Sequence, residues 1–170
     1  MTAGTASRGL RALLAAPDPT SIRAEPIAYL GLRIWLALTL MTHGVPKLLH
    51  LPHSGAPDSY AALVQIIGGR MHLPLSGALA MLVTLVETVG AAALAVGMAT
   101  RLAAVAVIVD LLVAAFGVHF PKWDWAEGGM EYPLLMAAVA AYLLVRGGGA
   151  LSLDRRLFGS VWSPGPSSHL

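Results

Sequence analysis

The chain has 170 residues, of which 56% are apolar and only 12% charged, against roughly 25% charged in an ordinary soluble domain. A soluble monomer of this size has too much surface to cover with so few charges, which excludes most soluble enzymes and argues against disorder, so a membrane protein is expected. The net charge is only +2, from scattered basic residues, and there is no cysteine. No nucleic-acid partner is expected, and a disulfide framework, a thiolate metal site, an iron–sulfur cluster and a CxxC redox pair are all excluded.

Residues 1–26 read as a polar N-terminal tail containing Arg8, Arg11 and Arg23. Within it Arg8 to Ala16 forms either a short basic helix on a membrane surface or a flexible tail, and its apolar part is too short for a signal peptide. Four apolar stretches follow, at about 27–49, 75–98, 101–120 and 131–146, with Pro26 placed as a helix start. Each is close to the ~20 residues that cross a bilayer, and a backbone in lipid must satisfy its own hydrogen bonds, so all four should be helices. Met98-Ala99-Thr100 is a short connection, which makes its two spans antiparallel neighbours. Small residues such as Gly90, Ala91, Ala103 and Ala106 permit close helix approach. The expected fold is an all-α antiparallel four-helix transmembrane bundle over residues 27–149. Residues 150–170 form a C-terminal tail.

Orientation follows from Lys and Arg. Arg8, Arg11, Arg23, Arg101, Arg146, Arg155 and Arg156 collect on one side, and Lys47, Arg70 and Lys122 on the other. Both termini are therefore expected in the cytoplasm, with loops 50–74 and 121–130 outside. The apolar run Ala61–Ile67 is too short to span and is expected to form an interfacial helix. Trp123 and Trp125 suit the aromatic belt. Gly147–Gly149 reads as a helix stop.

Ionisable groups inside spans are expensive and mark either function or specific packing. Glu87 and Asp110 fall near the centres of their spans, with Arg33 and His43 each roughly 7 Å from the centre on opposite sides. Lys47, His119 and Glu131 lie beyond His43. His43 and Lys47 are i,i+4 and share a face, and Arg33, fourteen residues before Lys47, lies near it. Asp110 and His119 are nine residues apart, about 180° on an ideal helix, so only a bend would let both face inward. Asp110 is therefore expected against another neighbour or a partner subunit.

Two readings of these residues compete. One is a structural network, with an Arg33–Glu87 ion pair and Lys47 paired to Glu131. The other is a polar cavity for a small ligand, a proton or a quinone head group. Haem or metal ligation by His43 and His119 has no HxxxH or ExxH spacing behind it, and no metal site is assigned. His50, His53, His72 and His169 read as solvated loop or tail residues.

The motifs together resemble the DoxX family. Arg33 followed by His43-Gly44-Val45-Pro46-Lys47-Leu48 looks like its first-span signature. Glu87 with Gly90 resembles its second span, and Gly97-Met98-Ala99-Thr100-Arg101 its inner turn. His119, Gly129-Met130-Glu131-Tyr132-Pro133, and Gly147 to Asp154 extend the likeness over residues 27–157. Asp110 departs from it, because the family position nearby is usually apolar.

The resemblance implies a four-span bacterial inner-membrane protein. Relatives belong to membrane oxidoreductase systems, among them a thiosulfate:quinone oxidoreductase and a complex linking thiol detoxification to superoxide defence. It also implies that Arg33, His43, Lys47, Glu87, His119 and Glu131 surround an interior pocket. The expected function is a redox-associated subunit binding a quinone or similar small molecule, with partner subunits or a second copy of itself. An accessory or scaffold subunit is the alternative. A transporter would call for inverted repeats, which are not evident.

Overall fold

The computed structural model describes residues 19–159, with side chains from Ala24 onward. The Arg8–Ala16 segment and His169 lie outside the described residues. Helix α1 runs Pro19–Leu48, so Pro26 sits inside the helix rather than at its start. Helix α2, Ser59–Gln65, occupies the expected apolar run and continues into a π turn at Ile66–Arg70. Its N-cap is Asp58, whose carboxylate accepts from the Ala61 N–H at 2.9 Å. That N–H, with His50 beside it, holds the Asp58 carboxyl below its ordinary value.

Helix α3 spans Ser76–Val96 and α4 spans Thr100–His119. Both contain a π segment, Val86–Gly90 in α3 and Ala114–His119 in α4. Helix α5 is Glu131–Arg146 and α6 is Leu153–Phe158. Among the described residues there is no strand, only an isolated bridge between His53 and Ala56.

Three helical segments are long and apolar enough to cross a bilayer: Ala24–Leu48, Ser76–Val96 and Thr100–His119. At 16 residues, α5 is shorter. The molecule is an all-α membrane protein. Helices α1, α3, α4 and α5 pack around a core that includes Leu36, Leu40, Leu94, Val107, Leu111 and Leu143. Fully buried Ala91, Ala104 and Ala140 bring the helix backbones close, which is how helices associate where lipid supplies no hydrophobic drive. Large apolar side chains such as Trp35, Leu102 and Val145 point outward, where the bilayer contacts them.

Gly44 shows how tight the α1–α3 crossing is. A Cβ there would stand 2.7 Å from the Glu87 main-chain carbon, so any larger residue would push α1 away from Glu87.

The α3–α4 turn is fastened by the segment after α5. Gly97 ends α3 at φ +71, and a Cβ there would lie 2.6 Å from both Arg33 Nη1 and Ser152 Cβ. Gly97 is thus required by its backbone and by its neighbours. The Asp154 carboxylate accepts from the N–H groups of Ala99 at 2.6 Å and Thr100 at 2.9 Å, capping α4. The Asp154 N–H in turn donates to Gly97 O at 2.8 Å. Partial burial opposes it, but those two donors hold the Asp154 carboxyl below its ordinary value.

Candidate functional site

The polar side chains within the bundle fall into two groups. Arg33 belongs to the Asp154 end and is only 1% exposed. Its guanidinium donates to Gly148 O, to Leu151 O at 2.7 Å and to Ala95 O at 3.3 Å. Ala95 O belongs to the last turn of α3, where unpaired carbonyls carry the negative end of the helix dipole. Tyr29 adds a hydrogen bond from its hydroxyl to Gly147 O. The expected Arg33–Glu87 ion pair does not form, because main-chain carbonyls at the end of α3 and after α5 take up the guanidinium.

Glu87 pairs instead with Lys47. Both carboxylate oxygens lie against the ammonium, at 2.6 and 2.5 Å. This replaces the expected Lys47–Glu131 contact. Glu131 is an exposed residue opening α5, with one carboxylate oxygen 3.4 Å from the Trp125 N–H. The π segment of α3 contains Glu87, and the close crossing at Gly44 brings α1 alongside it.

The Lys47–Glu87 pair forms part of the wall of a cavity of about 450 Å³. His43, His53, Asp110 and His119 line the same space, and Leu40, Ile67, Leu111 and Met136 supply much of the apolar wall. Arg33 and Glu131 do not line it, so the six residues expected around one pocket are reduced to four: His43, Lys47, Glu87 and His119.

Asp110 joins them, against the expectation that it would face a different neighbour. The physical reason is the π segment at Ala114–His119. A π turn closes i→i+5 bonds and so holds one residue more than an α turn. One extra residue retards the helix by about 100°, which turns the expected separation of about 180° into about 80°. Asp110 and His119 then share the inward side of α4. All three π segments, in α2, α3 and α4, contribute residues to the cavity: Ile66 and Ile67, Glu87, and Ala114, Val118 and His119.

His53 is the residue that the sequence reading missed. It is half-buried, and its Nε2 lies 3.2 Å from His43 Nδ1. The rings meet edge to face, with centroids 5.0 Å apart. His53 reaches this position through a tight hairpin in which it exchanges both main-chain hydrogen bonds with Ala56 at 3.0 Å. The two turn residues, Ser54 and Gly55, both have positive φ, as the preferred two-residue hairpin turn requires. Ser54-Gly55 was the available signal that the loop doubles back.

Two contacts hold the segment containing α2 across the bundle. Arg70 donates to Val118 O at 2.6 Å and Phe120 O at 3.2 Å, satisfying carbonyls at the end of α4. The Tyr60 hydroxyl donates to Gly77 O at 2.9 Å. His119 Nδ1 lies 2.6 Å from Gly128 O, which ties the end of α4 to the loop before α5. Among the described residues, no three His, Asp or Glu side chains are grouped as metal ligands.

Three bilayer-length apolar helices and a cavity bearing ionisable groups define a polytopic all-α membrane protein. The DoxX family model matches residues 28–120, more than half of the chain, and the chain belongs to the DoxX family. The matched segment contains Arg33, His43, Lys47, Glu87, Asp110 and His119 and stops before α5. Comparison with curated proteins and with solved structures gives no match.

Proposed function

We propose that this DoxX-family protein is a redox-associated subunit of the bacterial inner membrane, and that its cavity binds a quinone or a small molecule of similar build. The observation that carries this reading is the cavity wall. It is mainly apolar, with Lys47–Glu87, His43, His53, Asp110, His119 and Tyr132 as its few ionisable groups. Small-molecule sites have this composition: apolar surface supplies affinity and a few polar groups fix orientation. A quinone matches it with a flat apolar ring and two polar oxygens. A volume of about 450 Å³ falls within the range of such sites.

In this proposal α5 is a fourth span. Its 16 residues rise only about 24 Å, so the bilayer thins or flanking side chains snorkel at its ends. Both termini are cytoplasmic, in keeping with Arg101, Arg146, Arg155 and Arg156 near the Asp154 end.

The test is equilibrium binding of a decyl-chain benzoquinone to the purified full-length protein, followed by tryptophan fluorescence, since Trp125 lines the cavity. Binding is expected to be saturable and to be lost in Met136→Trp, which fills the cavity. If that variant binds as well as the parent, the reading is wrong. An accessory role in a larger complex predicts instead that the protein purifies with stoichiometric partners and takes no ligand.

A further inference from the structure

A second recess lies at the other end of the bundle, where α6 folds against the ends of α4 and α5. It is an open groove of about 720 Å³ whose wall includes Arg101, Arg146 and Arg155, with Leu102 and Phe158 as its large apolar members. The arginines come from separate elements: the first turn of α4, the last residue of α5 and the middle of α6. Gly147 lines the groove with a positive φ, and a Cβ there would stand 3.4 Å from Arg101 Nε. Asp154 is also on the wall, but its oxygens accept from the Ala99 and Thr100 N–H groups. That cap fixes α6 to the α3–α4 turn and gives the groove its shape.

The charge here is one-sided. Arg33, Arg101, Arg146, Arg155 and Arg156 stand against Glu25 and Asp154, an excess of three positive charges among the residues with described side chains. Glu25 pairs with Arg146, which also lies over the Tyr29 ring at 5.1 Å from its centroid. Arg101 gives one N–H to Val145 O at 3.3 Å, and most of its donors remain. Among the described residues no carboxylate pairs with the guanidinium of Arg101 or Arg155. A guanidinium is planar and matches phosphate oxygens two at a time.

Exposed hydrocarbon adjoins this charge, with Leu102 74% and Phe158 62% exposed. Leu102 follows Arg101 in the first turn of a bilayer-length helix, which is the depth where headgroups meet acyl chains. A free anion would use the arginines and leave the apolar surface idle, whereas a phospholipid uses both. Basic pockets between membrane helices are suited to anionic headgroups.

We propose that this groove binds an anionic phospholipid, with Arg101 and Arg155 on the headgroup phosphate and the acyl chains along Leu102 and Phe158. The proposal does not rest on the small-molecule reading of the cavity. A phosphate shared by Arg101 and Arg155 bridges α4 and α6, so bound lipid stabilises the folded protein.

The experiment follows the melting temperature of the purified full-length protein in dodecyl maltoside as dioleoylphosphatidylglycerol, dioleoylphosphatidylcholine or inorganic phosphate is added. Phosphatidylglycerol is expected to raise it about 3 °C more than phosphatidylcholine does, and phosphate to raise it by less than about 1 °C. Arg101→Gln combined with Arg155→Gln should lose more than about half of the lipid difference. Lys122→Gln combined with Arg156→Gln removes the same charge from residues off the groove wall and should keep the difference. If the groove pair fails to fold, Arg155→Gln is read against Arg156→Gln in its place, with the loss expected only in the former. The proposal is overturned if phosphatidylcholine stabilises as well as phosphatidylglycerol. It is equally overturned if the groove and control variants behave alike, which would make net charge the cause, or if inorganic phosphate reproduces the shift, which would make the occupant a free anion.

Discussion

At the Asp154 end of the bundle, the charged side chains are held by main chain. Arg33 donates to three carbonyls, and Asp154 accepts from two N–H groups. At the other end, charged and polar side chains meet one another around open space: Lys47 with Glu87, His43 with His53, and Asp110 facing the cavity with no donor among the described residues. Main-chain partners are fixed by the fold, and a ligand cannot replace them. Side-chain partners beside a cavity can be exchanged for ligand atoms. The same kinds of charged residue thus serve as fasteners at one end and as candidate recognition groups at the other.

The largest expected effect is at Arg33. Arg33→Leu leaves three carbonyls without their donor, and at about 1–3 kcal/mol for each buried unpaired group the loss is about 4 kcal/mol or more. Thermal unfolding in detergent measures it, and the fraction that remains folded should bind ligand within threefold of the parent. Lost binding at an unchanged melting temperature would break the contrast between the two ends. Glu87→Leu comes next, at about 3 kcal/mol, because it strands a largely buried ammonium. Here a second substitution is informative. Lys47→Met combined with Glu87→Leu should recover most of the stability while ligand binding stays abolished, and no second side-chain change could do the same for Arg33.

Gly97→Ala should cost about 2 kcal/mol, from left-handed backbone strain and contact with Arg33 and Ser152. Its melting temperature should fall with little change in ligand affinity. The smallest effect is at Asp154, where Asp154→Ala removes a helix cap worth about 1 kcal/mol. The folded carboxyl titrates below its unfolded value of about 3.9, so its contribution is present above that pH and is lost as pH falls through the folded value. The gap in melting temperature between parent and variant should therefore be full at pH 6 and shrink on acidification below about pH 4. A constant gap would mean that the charge of Asp154 is irrelevant to the cap.

Much of this was legible in the residues themselves. Apolar runs of bilayer length marked four spans, of which three are helices long and apolar enough to cross a bilayer, and i,i+4 spacing put His43 and Lys47 on one face. The turn residues around Gly97 marked the α3–α4 connection. What escaped had physical causes. Arg33 is bound by main-chain carbonyls, which have no residue signature, so a carboxylate was the natural partner to assign to it. Glu87 had two cations within plausible depth, and only the crossing at Gly44 decides for Lys47. The ideal helical period misplaced Asp110, because a π segment is not written in hydrophobic periodicity. His53 was assigned to solvent because its approach depends on the Ser54-Gly55 turn rather than on its own neighbours.

The π segments also change what kind of sequence variation this site can survive. Each is in effect a one-residue insertion relative to a straight α-helix, and the side chains beyond it owe their direction to that extra residue. Removing one residue near Ala114 together with the π turn would leave His119 about 80° from Asp110, whereas straightening the segment to α geometry with every residue kept would swing His119 about 100° relative to Asp110. Composition and hydropathy would hardly change, and each cavity-lining residue would still be present in the chain. Among relatives, a one-residue gap at a π segment is therefore compatible with the same site, because eight α-helical residues and nine residues through a π turn end at the same angle. Two chains of equal length with identical polar residues, one with the π turn and one without it, would share a fold without sharing a site.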